Sequence, residues 1–312
     1  PRHRAPPVAP CGLPTGYSPQ PTRCYDAPAP NPDQPRRSPV EPKLALTVAS
    51  GVVSSFPQPH GAAAVRTGPS FGIDIGGSGM KAAPVDLATG QLTADRFRID
   101  TPQPATPDQL ASVVRELVEH HEWRGPVGVC MPSVVTHGIV RSAANIDDGW
   151  LGVNGEELFA ESIGQPVHVV NDADAAGVAE MMWGAGRGRS GVVICLTFGT
   201  GIGSGMFVDG VLVPNTELGH LELDGHEAEQ RAAASVRQRD SLDWKRWAYR
   251  VDRYLGHVVR LFSPELIILG GGASKRPDEW VDRLDPGCEL AVADFANNAG
   301  IAGAAVLAPD LG

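Results

Sequence analysis

The chain is expected to fold as a two-lobed α/β protein with its working site in the cleft between the lobes, and three features of the sequence carry that expectation. Two glycine-rich turns, DIGGSGMK at residues 74 to 81 and TFGTGIGSG at 197 to 205, stand about 120 residues apart. Each follows a short apolar run, FGIDI or VVICLTF, of the kind that forms a buried strand. Asn171-Asp172 lies between them, at the end of a third such run, PVHVV. Ligands of open α/β sheets sit beyond the carboxyl ends of the strands, which is where these motifs fall.

From Phe71 onward the elements follow in order. FGIDI, MKAAPVD and QLTADRFRI read as antiparallel strands, with DLATGQ as the turn between the last two. PDQLASVVRELVEHH places Leu110, Val113, Val114 and Leu117 on one helical stripe, entered through Thr106-Pro107. PVGVCM is the next buried strand, and PVHVVND delivers Asp172 at its end, before the helix ADAAGVAEMMW. VVICLTF, GMFVDG and VLVP repeat the opening plan. LIILGGG, ELAVADF and a closing helix GIAGAAVLA complete it. The expected division is 71–172 for the N-terminal lobe and 173–312 for the C-terminal lobe.

Glycine has a physical reason to recur in both turns. Gly76, Gly77 and Gly79 let the backbone reverse tightly with its N–H groups open to an anion, and Ser78 and Lys81 add a hydroxyl and a cation. In the second turn Thr200 and Gly201 stand among glycines on alternate residues. Neither turn is a G-x-x-x-x-G-K-[ST] loop, and the second lacks G-x-G-x-x-G spacing. Either turn alone is equally readable as hairpin geometry.

Taken together, DIGGSGMKAAPVD, VNDADAAGVAEM, TFGTGIGSG, NTELGHLELDGHEAE and LIILGGG resemble the ROK family of sugar kinases, over nearly all of residues 71 to 312. Within it they are most similar to the actinobacterial polyphosphate glucokinase branch. The resemblance implies a hexokinase/actin/Hsp70-like (ribonuclease H-like) fold and transfer of a phosphoryl group from polyphosphate, or from ATP or GTP, to the 6-hydroxyl of glucose. A homodimer is the expected assembly. An ATP-dependent hexose kinase is the alternative within the family. A sugar-sensing transcription regulator is the alternative outside catalysis, and residues 1 to 70 show no helical pattern to support it.

Asp172 is the expected general base, since a carboxylate within hydrogen-bond reach accepts the proton of a poorly nucleophilic sugar hydroxyl. Its plainer reading, with Asp174, is as cap and first-turn acid of a helix. Asp174 is assigned the cap. Sugar hydroxyls need converging polar groups. By resemblance these are Asn145, Asn171, Glu217, His220 and Glu229, with Glu222 and Glu227 as competitors for the last position. The turn containing Gly271 and Gly272 resembles the family's adenosine-side turn. Mg²⁺ is implied by phosphoryl transfer, with Asp74 as its expected ligand and a turn-bracing aspartate as the alternative.

Many ROK proteins carry a cysteine cluster after the ELGH motif that holds a structural zinc. This chain has no cysteine between Cys195 and Cys288, so packing or other polar contacts must hold that loop. Residues 231 to 260 are locally basic, and Arg246, Arg250, Arg253, His257 and Arg260 share a helical face. Such a stripe suits a polyanion or is simply a solvated surface.

The net charge of −10 argues against general nucleic-acid binding. Five cysteines without close spacing make no disulfide framework, in keeping with a reducing cytoplasm. Residues 1 to 70 hold more than half of the 28 prolines and are expected to be disordered. Their one apolar island, LALTVASGVVSSF, is too short to span a bilayer, and no membrane partner is expected. The chain opens on Pro1, and an over-extended or cut reading frame would account for such a tail.

Overall fold

The computed structural model describes residues 68–144 and 146–310. The proline-rich segment expected at 1–70 lies outside these except for its last three residues, and Asn145 lies outside as well.

Two sheets are built on one plan. The first holds β1 (Pro69–Ile75), β2 (Met80–Asp86), β3 (Gln91–Leu92), β4 (Phe97–Ile99), β5 (Val127–Met131) and β8 (Val167–Asn171), in the order β3-β2-β1-β5-β8 with β4 also on β2. Between β5 and β8 a small hairpin, β6 (Val135–Thr136) with β7 (Ile139–Val140), stands apart. The second sheet holds β9 (Val192–Phe198), β10 (Ile202–Val208), β11 (Val211–Val213), β14 (Leu266–Gly270) and β15 (Glu289–Val292), in the order β11-β10-β9-β14-β15. In each sheet an antiparallel hairpin, β1–β2 or β9–β10, is extended by two parallel strands, β5 and β8 or β14 and β15. The parallel strands are buried along their length in β5 and β14, which explains their unbroken apolar reading.

The expected strand QLTADRFRI is broken into β3 and β4 by residues 93–96. Opposite the break stands Pro84, which accepts from the Thr93 N–H at 2.9 Å but has no N–H to return. The ladder therefore slips, from Val85↔Leu92 to Ala82↔Phe97, and two residues bulge. In the second glycine-rich turn, only 199–201 reverse the chain. Ile202, Gly203, Ser204 and Gly205 already belong to β10, so the alternate glycines are a strand face rather than a turn.

α1 (Pro107–His120) begins as its sequence requires, with Thr106 as N-cap and Pro107 in the first turn, and buries Leu110, Val114 and Leu117 on the first sheet. α2 (Gly155–Ile163) packs beside it. On the second sheet, α4 (Glu229–Ala232), α5 (Ala234–Arg239) and α6 (Trp244–Phe262) cover a core of Phe198, Trp247, Val251, Leu255 and Trp280. Trp247 and Trp280 meet edge to face at 4.8 Å.

α3 (Asp172–Trp183) and α7 (Ala299–Leu307) pack on each other between the sheets. Each crosses over: α3 follows β8 yet lies on β9 and β10, and α7 follows β15 yet lies on β1 and β5. Their contact is built from small residues. A Cβ on Gly303 would stand 1.7 Å from the Ala175 carbonyl oxygen, so only glycine permits this approach. The packing fixes the first turn of α3, where Asp172 stands, against both sheets.

Candidate active site

The carboxyl ends of β1, β8, β9 and β14 open into a cleft of about 780 Å³. Gly76, Gly77 and Ser78 line one side and Thr197, Gly199, Thr200, Gly201 and Gly271 another. Asn171 and Asp172 also line it, as do Glu217, His220 and Glu229. Residues distant in sequence thus converge, because the two sheets share one plan and each contributes its glycine turn.

Asp172 is the first residue of α3, and the N-cap is Asn171, not an aspartate. Asn171 Oδ1 accepts from the N–H groups of Ala173 (2.8 Å) and Asp174 (3.1 Å), and its Nδ2 donates to the Ser133 carbonyl at 3.2 Å. The carboxamide is thereby largely committed to presenting its neighbour. Burial pushes the Asp172 carboxyl up to about 7; the charges of Asp74, Glu217 and Asp174 add to the shift, and the Ala173 N–H opposes it. Among the described residues no lysine or arginine forms an ion pair with Asp172, Glu217 or Glu229.

Asp174, assigned the cap, is instead a buried side chain whose Oδ2 accepts from the Asn215 N–H at 2.7 Å, while its Oδ1 has no hydrogen-bond partner. Its carboxyl is pushed up to about 6, first by burial and also by Glu217, with the Asn215 N–H pulling the other way.

Glu217 precedes a 3-10 turn, Leu218–His220, and burial raises its carboxyl above the ordinary range. His220 stands between two glutamates, with Nε2 3.7 Å from Glu217 and Nδ1 3.4 Å from Glu227. Of the three competing glutamates, Glu229 is the one on the cleft, its Oε2 accepting from the Ile202 N–H at 3.2 Å. Glu227 also accepts from Gln230 Nε2 at 3.1 Å. The loop that lacks cysteines is held by a hairpin, β12 (Glu222–Leu223) with β13 (His226–Glu227), turned by Asp224 and Gly225 at positive φ. The Ala228 N–H closes it on the Leu221 carbonyl at 2.8 Å. His220, Glu227 and Glu229 also bring potential metal-ligating atoms within 4.8 Å of one another.

Asp74 lies beneath the first glycine turn, its Oδ2 3.2 Å from Lys81 Nζ and its Oδ1 3.8 Å from the buried Cys130 thiol. Asp74, Gly79, Lys81 and Gly272 do not line the cleft themselves. Sequence reasoning missed Ser133, Val134 and Ser142 on the first-sheet wall. The Ser133 hydroxyl is buried without a partner, and nothing in the tripeptide PSV distinguishes it in advance.

Three residues of the basic stripe, Arg246, Arg250 and Arg253, line a different groove, of about 960 Å³, with no lining residue in common with the cleft, while His257 and Arg260 lie outside it. The charges of these three arginines are matched. Arg250 pairs with Asp240 at 3.0 Å, Arg253 with Asp224 at 2.7 Å and Arg246 with Asp243 at 3.8 Å, while Arg237 stacks on Trp244 at 3.9 Å.

Residues 70–234 match the model of the ROK family. The chain belongs to the ROK family. It is 51% identical to the polyphosphate glucokinase of Mycobacterium tuberculosis over 237 residues, covering 76% of this chain and 89% of that protein. The inorganic polyphosphate/ATP-glucomannokinase of Arthrobacter sp. strain KM superposes with a TM-score of 0.75 at 49% identity, over 77% of this chain and 98% of that one. A ROK glucokinase of Streptomyces griseus, solved with glucose and AMPPNP, superposes at 0.68 with 25% identity, over 77% of this chain and 99% of that one. The hexokinase/actin-like architecture expected from the motifs is therefore the fold of this ROK chain. Among the described residues no helix is long and apolar enough to cross a membrane.

Proposed function

We propose that the chain is a polyphosphate-dependent glucokinase that transfers a terminal phosphoryl group to the 6-hydroxyl of glucose, with ATP as a second donor. The observation that carries this reading is the convergence of Asp172, two glycine turns and the Glu217, His220 and Glu229 cluster on one cleft. The names of its similar relatives, a polyphosphate glucokinase and a polyphosphate/ATP-glucomannokinase, support the choice of donor and sugar. Gly271 beside the cleft supports room for a nucleotide.

In this reading Asp172 accepts the 6-hydroxyl proton as the oxygen attacks phosphorus. A carboxyl held at about 7 is matched to that task, because the base must be ionised at working pH yet hold the proton once taken. Glu217, His220, Glu229 and Asn145 bind and orient the sugar, and Asn171 holds Asp172 in place. The Gly76 N–H closes its own turn on the Gly79 carbonyl at 3.1 Å, so the backbone N–H groups at Gly77, Thr200 and Gly201 cradle the donor phosphates. Mg²⁺ fits the hard oxygen donors present: Asp74 Oδ1, left with only a distant thiol contact, would hold it through water, since Asp74 does not itself line the cleft. When bound there it would neutralise charge on the transferred phosphoryl group.

The division into lobes at 172/173, the homodimer and the cytoplasmic location stand as parts of this proposal. The strands of the two sheets fall on either side of that division. The test is to incubate the purified chain with glucose, Mg²⁺ and either polyphosphate or ATP and to follow glucose 6-phosphate. Product from polyphosphate is expected. Product from ATP alone would make the chain an ordinary hexose kinase, and product from neither would overturn the reading.

A further inference from the structure

Glu217 owes its position to a short irregular stretch of chain, and one residue of that stretch is tied down on two sides. Asn215 has φ of 57°, in the left-handed region that asparagine tolerates better than most residues. Its side chain reaches the β6–β7 hairpin on the first-sheet wall. Oδ1 accepts from the Val135 N–H at 2.9 Å, and Nδ2 donates to the Val135 carbonyl at 2.8 Å. Hydrogen-bonded and non-bonded pairs alternate along an antiparallel hairpin. Val134 accepts from the Arg141 N–H at 2.8 Å, so Val135, the next residue, turns its own N–H and carbonyl outward. The Asn215 carboxamide meets them as a peptide group of a neighbouring strand would.

The second tie is to α3. The Asn215 N–H donates to Asp174 Oδ2 at 2.7 Å, two residues beyond Asp172. The next residue, Thr216, is fastened to β10: its carbonyl accepts from Ser204 Oγ and its Oγ1 donates to the Ser204 carbonyl at 3.1 Å. Glu217 follows directly. Its place relative to Asp172 is therefore set through α3 and β10 on one side and the first-sheet wall on the other. Of these connections, only the Asn215 side chain reaches β6.

We propose that Asn215 is a positioning residue for the sugar reaction, the tether that holds the Glu217 loop against the β6–β7 wall. The inference rests on the reading of Glu217 as a sugar contact. Displacement of a positioning group by about 1 Å costs on the order of 10²-fold at the limit, so loss of one tether of several should cost roughly tenfold.

Two variants separate the side chain from the backbone. Asn215→Gly keeps the left-handed φ and the N–H to Asp174 but deletes the tether. Asn215→Asp keeps an acceptor for the Val135 N–H and loses the donor to its carbonyl. Asn215→Gly should raise the glucose KM roughly tenfold while the polyphosphate KM stays within about twofold, and Asn215→Asp should fall between it and the parent.

The discriminating measurement is a double-mutant cycle with Glu217→Gln. If Asn215 acts through Glu217, Asn215→Gly adds less than about twofold in the Glu217→Gln background, whereas a merely structural role would multiply. An unaltered glucose KM, an equal rise in both KM values, or full multiplication would overturn the tether. If Asn215→Gly fails to fold, the cycle is run with Asn215→Asp and the same outcomes decide. A wild-type chain inert toward glucose would overturn the underlying reading, and an active wild type with an unaltered variant would overturn the tether alone.

Discussion

The cleft and the groove along α6 are of similar size, at about 780 and 960 Å³, but they treat charge in opposite ways. In the groove, arginines stand beside aspartates on an exposed face, where solvent screens the pairs and they contribute little. In the cleft, carboxylates are gathered with no lysine or arginine paired to Asp172, Glu217 or Glu229 among the described residues. Carboxyls there are pushed up, Asp172 to about 7, which is a cost to the folded chain. A fold keeps unmatched charge where chemistry needs it, whereas matched charge needs no function to explain it.

The largest expected effect would come from removing the central carboxylate. Asp172→Asn should lower kcat by roughly 10²- to 10⁴-fold, measured as glucose 6-phosphate formation at saturating substrates. A variant that keeps a tenth of wild-type turnover would take the proton-accepting role away from Asp172.

Next comes the interior that positions it. Gly303→Val should destabilise by about 3 kcal/mol or more in urea unfolding, because its Cβ would meet the Ala175 carbonyl at 1.7 Å. Gly256→Ala on α6, where a Cβ meets nothing within 4 Å, should instead stabilise by up to about 1 kcal/mol. Equal effects at the two glycines would mean that α3 and α7 are not packed as described.

A pH series sharpens the contrast of charge. In magnesium-free buffer the Asp172 carboxyl, about 7 when folded, titrates far lower, at about 3.9, when unfolded. Between these values the folded chain holds the extra proton, so its stability falls as pH rises from about 4 to about 7. Asp172→Asn should escape that loss. Its stability advantage should grow across that window and level off above it, and a flat difference in thermal melts would show that the carboxyl is not perturbed.

The smallest effect is expected in the groove. Arg246→Ala with Lys245→Ala should leave the polyphosphate KM within about twofold, since Arg246 is an exposed partner of Asp243. A tenfold rise would put the groove on the path of the donor and reverse the comparison.

Much of this was legible in the order of residues. Apolar runs ending in glycine or in Asn171-Asp172 marked the strands and their carboxyl ends, because burial writes itself as continuous hydrophobicity. Capping chemistry marked the start of α1 through Thr106-Pro107. The break opposite Pro84, Asn171 as the cap of α3 and the short extent of the second turn were not read correctly, since each depends on which backbone groups face one another across a ladder or a helix end.

The sequence by itself determined the doubled α/β plan, the family and the set of polar residues available to a site, because periodicity and motif spacing are local properties. Only the tertiary structure decided that Glu229 rather than Glu227 lines the cleft, that the arginine stripe lies elsewhere and is largely paired, and that Asp174 is buried against Asn215. Each of those outcomes is a matter of distance between segments far apart in the chain, and distance is set by packing that no single segment encodes.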